Sequence, residues 1–187
     1  MHKGLAMARW VRIQLHSVRL GVFLGACVCM GLLNGCSPSL NWRTLAMGRL
    51  TILLPCKPDQ AQRNVVLAKQ LLAMDMVGCE AGGAMFAISH VRAQNAQALD
   101  ALLADWQASA LAQMRADPAA PSPARTLGQH PLPMLLMSAQ GHDTSGRAVQ
   151  ARLAWVRDGL DLFHLALYAP HIYEDMAKPF FSEIQAP

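Results

Sequence analysis

The stretch that sets the fold is RAVQARLAWVRDGLDLFHLALYA, residues 147–169. Apolar side chains alternate with polar or small ones through its first half, which is the pattern of a β-strand with one buried face. Asp158-Gly159 then interrupts the alternation, and this dipeptide favours a tight hairpin turn because glycine tolerates a positive φ. The stretch therefore predicts two antiparallel strands, at residues 147–157 and 160–169.

Further strand signals lie on the N-terminal side of this hairpin. A run at 132–140 reaches it through GHDTSG (141–146), whose composition is typical of a polar turn. Four earlier runs are apolar, β-branched or alternating, and proline or glycine bounds several of them. They are residues 49–54, 64–69, 71–77 and 84–90.

Between the two groups of strands the apolar period changes from 2 to about 3.6 residues. Residues 96–115 place their leucines and Trp106 at helical spacing, and Asn95 suits the N-cap position. Asp117-Pro118 ends this amphipathic helix, and the proline-rich residues 118–123 predict a surface connection. A second helix is expected at residues 172–181, where Pro179 should bend it or end it.

These elements predict an α+β fold, a mainly antiparallel sheet with a mid-chain amphipathic helix and a C-terminal helix. Consecutive hairpins argue against a doubly wound nucleotide-binding fold. We expect residues 48–187 to form a single globular domain.

The N-terminal residues have the layout of an export signal. Four basic residues precede an apolar run at residues 20–33, whose 14 residues are fewer than the roughly 20 that span a bilayer as a helix. Translation from either Met1 or Met7 preserves this layout. The basic residues are Lys3, Arg9, Arg12 and Arg19.

The segment Leu33-Asn34-Gly35-Cys36 follows the apolar run and resembles the lipobox of bacterial lipoproteins. The resemblance implies that residues 1–35 are a signal peptide and that Cys36 becomes the acylated N-terminus. Residues 36–47 would then be a lipidated tether. Because Ser37 replaces the aspartate of the family's inner-membrane retention signal, the resemblance implies an outer-membrane anchor facing the periplasm. The alternative is that Cys36 is a chance cysteine, either after an ordinary signal or within an uncleaved helix.

The charge of the mature chain is balanced. Four of the 16 Lys and Arg residues precede Cys36, which leaves 12 basic residues against 12 acidic ones. A nucleic-acid partner would require a basic excess on the folded part, so we expect none.

The cysteines also divide at the cleavage point. Cys27 and Cys29 leave with the signal and Cys36 carries lipid, so Cys56 and Cys79 remain. An even remainder in an oxidising compartment favours a disulfide bond, with two buried reduced thiols as the alternative.

A second resemblance covers most of residues 48–184. Leu50 to Pro55 as an opening strand, the mid-chain helix before a proline-rich link, the 147–169 hairpin and the closing Phe180-Phe181-Ser182 resemble the PsbP-like α/β/α sandwich. This resemblance implies a fold that serves docking and assembly as often as ligand binding, and it implies little chemistry.

No motif in the sequence predicts a catalytic, metal or cofactor site. The glycine-rich residues 78–83 predict a turn, and they lack the lysine and the following helix of a phosphate loop. Residues 141–146 hold Ser, His and Asp in one turn, where a triad needs separate elements. Met74, Met76, Met85, Met134 and Met137 alternate along strands, which is typical of core filling. The histidines show no H-x-H or H-E-x-x-H spacing; those after Cys36 are His90, His130, His142, His164 and His171.

The sequence therefore favours a non-enzymatic, membrane-anchored envelope lipoprotein that binds an envelope protein partner. The alternative is a periplasmic module for a small ligand or a metal. A hydrolase that uses His142 or His164 is the third and weakest hypothesis.

Overall fold

The computed structural model describes residues 39–118 and 132–185 of the 187-residue chain. These residues form nine strands and two helices. The strands are β1 (Arg43–Met47), β2 (Leu50–Leu54), β3 (Asp59–Leu67), β4 (Gln70–Ala81), β5 (Ala84–Arg92), β6 (Asp117–Pro118), β7 (Met134–His142), β8 (Ala148–Asp158) and β9 (Asp161–Ala169); the helices are α1 (Ala96–Gln113) and α2 (Glu174–Ser182).

Seven strands form one antiparallel sheet in the order β3-β4-β5-β9-β8-β7-β6. Strands β1 and β2 pair only with each other among the described strands and form a separate hairpin. The predicted hairpin of β8 and β9 lies near the middle of the sheet. The predicted α+β class with a mainly antiparallel sheet is confirmed.

Both faces of the sheet are covered, so its central strands are apolar on both sides. Helix α1 packs on one face, which we call the α1 face, where Leu102 and Trp106 meet Leu153 and Trp155. The β1–β2 hairpin and α2 pack on the opposite face, the α2 face. There Phe86 makes an edge-to-face contact with Phe180, with ring centroids 5.3 Å apart. Two hydrophobic clusters, one on each face, therefore hold three layers together.

The folded domain begins earlier than the sequence indicated. Residues 43–47, which the sequence analysis placed in the tether, form β1 and pair with β2 along its whole length. Trp42 also packs against Phe86 at 6.1 Å. The tether assignment for residues 43–47 was therefore wrong. The sequence RTLAM shows little apolar alternation, so it carried no strand signal of its own, and the strand is stabilised by pairing with β2.

Strand β3 also differs from its expected bounds. It begins at Asp59, five residues before the expected start, and it ends in a tight turn at Ala68-Lys69. Both turn residues have positive φ, 48° and 63°. Asn or Gly normally occupies such positions, so the sequence carried no turn signal here.

Strand β4 runs through residues 78–81, where the sequence analysis placed a turn. The turn is confined to Gly82 and Gly83, both with positive φ. Gly78 lies inside β4. A Cβ atom at this position would lie 2.9 Å from the carbonyl oxygen of Phe86 on β5, so a larger residue would not fit there without a shift of the backbone. Close approach of two backbones explains this glycine.

The helix ends follow known capping chemistry. The Asn95 side chain accepts a 2.8 Å hydrogen bond from the N–H of Ala98, which confirms the predicted N-cap. At the C-terminus, Arg115 N–H binds Ala112 O and Ala116 N–H binds Leu111 O, which is the Schellman pattern. Arg115 occupies its left-handed position, with φ of 50°, where glycine is usual.

Helix α2 starts at Glu174 and continues past Pro179 to Ser182. Proline therefore neither ends the helix nor prevents Phe180 and Phe181 from burying their rings. None of the helices in the described residues combines the length and the apolar character needed to cross a bilayer.

Cys56 and Cys79 form a disulfide bond, with Cα atoms 6.0 Å apart. The bond links the segment between β2 and β3 to the C-terminal end of β4. The cysteine count had singled out the same pair.

Of the methionines expected in the core, Met74, Met134 and Met137 are buried. Met76 is half-buried, and Met85 is 45% exposed. Met85 lies at the start of β5 beside the Gly82–Gly83 turn, so the core assignment for this residue was wrong.

Candidate functional site

A concavity lies where β7 ends and β8 begins, beside the segment that follows β9. Its volume is about 890 Å³, and we call it the β7–β8 groove. Its lining comprises Arg115, residues 138–142, residues 148–152, Pro170 and Ile172.

Polar side chains from two adjacent strands meet in this groove. Ser138 pairs with Arg152 and Gln140 pairs with Gln150 in the β7–β8 register. Directly paired residues of an antiparallel sheet project from the same face, so these four side chains form a polar patch on the α2 face. Ser138 and Gln140 are exposed, whereas Gln150 and Arg152 are half-buried.

Arg152 is held in place at the edge of the groove. Its Nη2 donates to Glu174 Oε1 at 2.7 Å and its Nη1 donates to Oε2 at 3.3 Å. The arginine hydrogen bond and charge lower the pKa of the Glu174 carboxyl below its ordinary value. The two-point contact orients the guanidinium plane and joins β8 to the first turn of α2.

Gln150 is oriented in a similar way. Its Oε1 accepts a 2.9 Å hydrogen bond from the backbone N–H of Ile172, which uses one lone pair of the amide oxygen and orients the side chain. The two N–H donors of the amide make no hydrogen bond within the described residues, so Gln150 can offer them to a ligand. The groove therefore presents oriented donors on one wall and exposed side chains with both donor and acceptor groups on the other.

The end of β7 is held against the C-terminus of α1. The backbone N–H of His142 donates to Met114 O at 2.8 Å. A Cβ atom at Gly141 would overlap that same carbonyl oxygen, so only glycine permits this approach. His142 thus sits at the exposed end of the groove with its position fixed by its backbone.

The Ser, His and Asp of residues 141–146 do not form a triad. Asp143 accepts hydrogen bonds from the backbone N–H groups of Ser145 and Arg147, and also from the Ser145 hydroxyl and the Arg147 side chain. The bonds from Arg147 and Ser145 hold the pKa of Asp143 far below its ordinary value. The carboxylate organises the turn, as expected for a polar hairpin loop.

His164 is buried in the core under α1. Its ring stacks on Trp155 with centroids 4.7 Å apart, and Trp106 covers it at 5.3 Å. Burial lowers the pKa of His164 to about 3, so the ring is neutral near pH 7. His164 Nε2 and Trp155 Nε1 are buried without hydrogen-bond partners among the described atoms.

A charged cluster that the sequence did not signal lies at the opposite end of the sheet. His90 Nε2 is 2.8 Å from Asp161 Oδ1, and its Nδ1 is 3.7 Å from Asp75 Oδ2. Arg92 donates to the other Asp161 oxygen at 2.6 Å, and the His90 ring stacks on Phe163. Both ring nitrogens face carboxylates, so the cluster ties β4, β5 and β9 together.

The structure does not gather the remaining predicted candidates. His171 contacts Tyr173 beside α2, whereas His130, Cys36, Cys27 and Cys29 lie outside the described residues. Within residues 39–118 and 132–185, no group of three His, Cys, Asp or Glu side chains is placed to hold a metal ion.

Sequence reasoning missed the groove, although part of its signal was present. The alternation in β8 places Gln150 and Arg152 on the face opposite Trp155. Nothing in the sequence indicated that this face would meet β7 side chains and remain uncovered.

The sequence matches no protein-family model and no curated protein. Distant likenesses exist among solved structures. A Bacteroides thetaiotaomicron protein is 11% identical with a TM-score of 0.43, over 74% of this chain and 45% of its own. The chain thus spans less than half of that protein. A Pseudomonas aeruginosa protein of unknown function is 16% identical with a TM-score of 0.38, over 74% of this chain and 89% of its own.

Proposed function

We propose that the chain is a non-enzymatic bacterial envelope lipoprotein, anchored to the outer membrane by acyl chains on Cys36. Its domain faces the periplasm and binds a protein partner of the envelope in the β7–β8 groove.

The disulfide bond between Cys56 and Cys79 is the observation that carries this proposal. Such bonds form and persist in oxidising compartments, which include the bacterial periplasm, and are rare in the cytosol. The lipobox-like segment accounts for both export and anchoring in one step. Two or more acyl chains would provide stable attachment, whereas a single chain binds only marginally.

The chemistry of the groove favours a partner with many hydrogen-bonding groups. The Gln140 and Gln150 side chains lie opposite one another, and Ser138 and Arg152 extend the same polar patch. Because Glu174 already balances the charge of Arg152, that arginine does not require an anionic ligand. An extended segment of a partner protein supplies backbone donors and acceptors that match such a patch.

The layer arrangement supports a finer description of the fold, which we propose to be a PsbP-like α/β/α sandwich. Helix α1 covers one face of the sheet, and the β1–β2 hairpin with α2 covers the other.

Membrane fractionation tests the anchor. Cys36→Ala should carry no acyl chains and should leave the membrane fraction, because sulfur is the atom that takes the lipid. Cys29→Ala, within the signal, is the matched control and should stay membrane-bound with acyl chains detectable by mass spectrometry. Retention of the Cys36→Ala variant at the wild-type level, with no acyl mass on the wild type, would refute the lipid assignment.

Crosslinking in the envelope tests the groove. A photo-crosslinking amino acid at position 140 should trap one protein repeatedly, whereas the same residue at exposed position 113 on α1 should not. Identical products from both positions would contradict binding in the groove.

The volume of the groove favours a second candidate function, which is the binding of a small ligand in the periplasm. Ligand pockets commonly enclose about 300–1,000 Å³, and the groove falls in this range. Native mass spectrometry of protein extracted from its own membranes would then reveal a small bound species, which Gln140→Ala should release.

A further inference from the structure

Strand β3 forms one edge of the seven-stranded sheet. Residues 59–64 are exposed at every position, so neither α1 nor α2 covers the strand there. No other strand of the described residues pairs with its outer side. Unpaired backbone groups along such an edge form a template for another strand.

The turn at the end of β3 fixes which backbone groups point outward. Leu67 and Gln70 flank the tight turn at Ala68-Lys69, so they form a hydrogen-bonded pair. Hydrogen-bonded positions recur at every second residue, so the odd-numbered residues of β3 form their backbone hydrogen bonds with β4. The even-numbered residues Gln60, Gln62 and Asn64 therefore direct their N–H and C=O groups to solvent.

This phase restricts how a second copy of β3 can pair with the first. An antiparallel strand related by a two-fold axis must place even-numbered residues opposite even-numbered ones. The register centred on Ala61 does so, because Gln60 of each copy lies opposite Gln62 of the other. It also places Asp59 of each copy opposite Arg63 of the other.

The other allowed registers lack this charge match. Centring on Gln62 places Asp59 opposite Val65, and centring on Arg63 places the two arginines opposite each other. Within the described part of the chain, no ion pair engages Asp59 or Arg63. Both charges are therefore available for a partner strand.

An exposed apolar pair lies where the same register would cover it. Val66 is 68% exposed and Leu71 is 70% exposed, and the two lie directly opposite each other near the end of the β3–β4 hairpin. In the Ala61-centred register, position 66 falls opposite position 56 of the partner. The partner's segment before β3 would then approach Val66 and Leu71.

We propose that β3 is a homodimerisation edge, at which two copies of this chain pair antiparallel about Ala61 and form a continuous sheet of 14 strands. The dimer carries two symmetric Asp59–Arg63 pairs. This interface is separate from the β7–β8 groove, which lies near the opposite edge of the sheet.

A charge swap tests the register in the full chain purified in detergent. Asp59→Arg places two like-charged pairs across the axis and should raise the dimer dissociation constant roughly tenfold or more. Arg63→Asp should do the same. The double variant Asp59→Arg/Arg63→Asp restores opposite charges and should recover the wild-type constant in sedimentation velocity. A monomeric wild type at all concentrations, or a double variant no better than the singles, would overturn the proposal.

Cysteine crosslinking supplies a geometric test on the same protein. Ala61 faces itself across the axis in a non-hydrogen-bonded pair with Cα atoms about 4.5 Å apart, within the disulfide range. Ala61→Cys should therefore form a disulfide-linked dimer on mild oxidation. Arg63→Cys is the matched control, since its two copies lie four residues apart along the strand, about 13 Å, and should stay unlinked. Crosslinking at position 63 but not at 61, or at neither position, would exclude this register.

Discussion

The Asp105 carboxylate accepts a 2.8 Å hydrogen bond from the backbone N–H of Ala68, which joins α1 to the turn between β3 and β4. Ala68 and Lys69 both hold left-handed backbone conformations in that turn. Such conformations cost roughly 1–2 kcal/mol for a residue other than glycine. Contact with α1 therefore helps to stabilise a turn that its own residues disfavour.

Asp105→Ala should lower the free energy of unfolding by about 1.5 kcal/mol, because it removes a charged acceptor from a partly buried N–H group. Chemical denaturation of the purified chain measures the change. Asp100→Ala is the matched control on the same helix, since Asp100 only pairs with Arg157 at the exposed surface. The control should lose at most about 0.5 kcal/mol. Equal losses for the two variants would contradict the role assigned to Asp105.

Acid should destabilise the domain through His164. The folded pKa of about 3 lies below the ordinary value of 6.5, so the unfolded chain binds the proton more readily. Stability should fall as the pH drops from about 6.5 towards 3, at no more than about 1.4 kcal/mol per pH unit from this residue. His164→Phe keeps an aromatic ring between the tryptophans and should flatten this part of the stability curve.

Replacement of an exposed histidine provides the control for that experiment. His171→Phe changes a residue at the surface beside α2 and should leave the slope between pH 6.5 and 3 as it is in the wild type. If His164→Phe retained the full slope, other groups would account for the acid sensitivity.

Reduction of the Cys56–Cys79 bond should cost about 3 kcal/mol of stability, because the bond closes a loop with a sequence separation of 23 residues. Urea unfolding with and without a reductant measures this difference. The Cys56→Ala/Cys79→Ala variant should match the reduced wild type. Alkylation of the denatured, unreduced protein should label neither cysteine, and labelling of both would contradict the bond.

Gly141→Ala should destabilise the domain by more than about 2 kcal/mol, since the added Cβ overlaps the Met114 carbonyl at the end of α1. Gly146→Ala is the control, because it adds backbone strain without a steric overlap of the new Cβ atom. Nothing lies within 4 Å of a Cβ at Gly146, although its φ is +82°, so only a smaller strain cost of about 1 kcal/mol applies. A Gly141→Ala loss no larger than that of Gly146→Ala would indicate that β7 can move away from α1.

Sequence pattern was sufficient where one element carried its own signal. The Asp158-Gly159 hairpin and the helix that begins after Asn95 both follow from local chemistry. Strand β1 and the Ala68-Lys69 turn escaped prediction because neighbours supply their stability. Strand β2 pairs with β1, and the Asp105 side chain binds the turn at Ala68.

The candidate groove escaped prediction for a related reason. Ser138 and Arg152 are adjacent in space only because β7 and β8 pair in one register, and Glu174 reaches Arg152 only because α2 packs on that face. Sequence alone gave the alternation in β8 but not which polar positions would remain uncovered. The β3 edge was missed because the expected strand started at residue 64 and omitted both Asp59 and Arg63.

The β1–β2 hairpin also determines how the domain responds to mechanical load. Arg43 pairs with Leu54 at the open end of this hairpin, and the Thr51–Gln185 bridge fastens β2 to the C-terminal segment. A pull applied at Ser39 and directed away from Leu54 would load the hydrogen bonds of β1 one after another, as in unzipping. Strand β1 would separate from β2 at low force, while β2, bonded to Gln185, would remain packed on the α2 face. The pairing of β1 with β2 would then break before the rest of the domain unfolds.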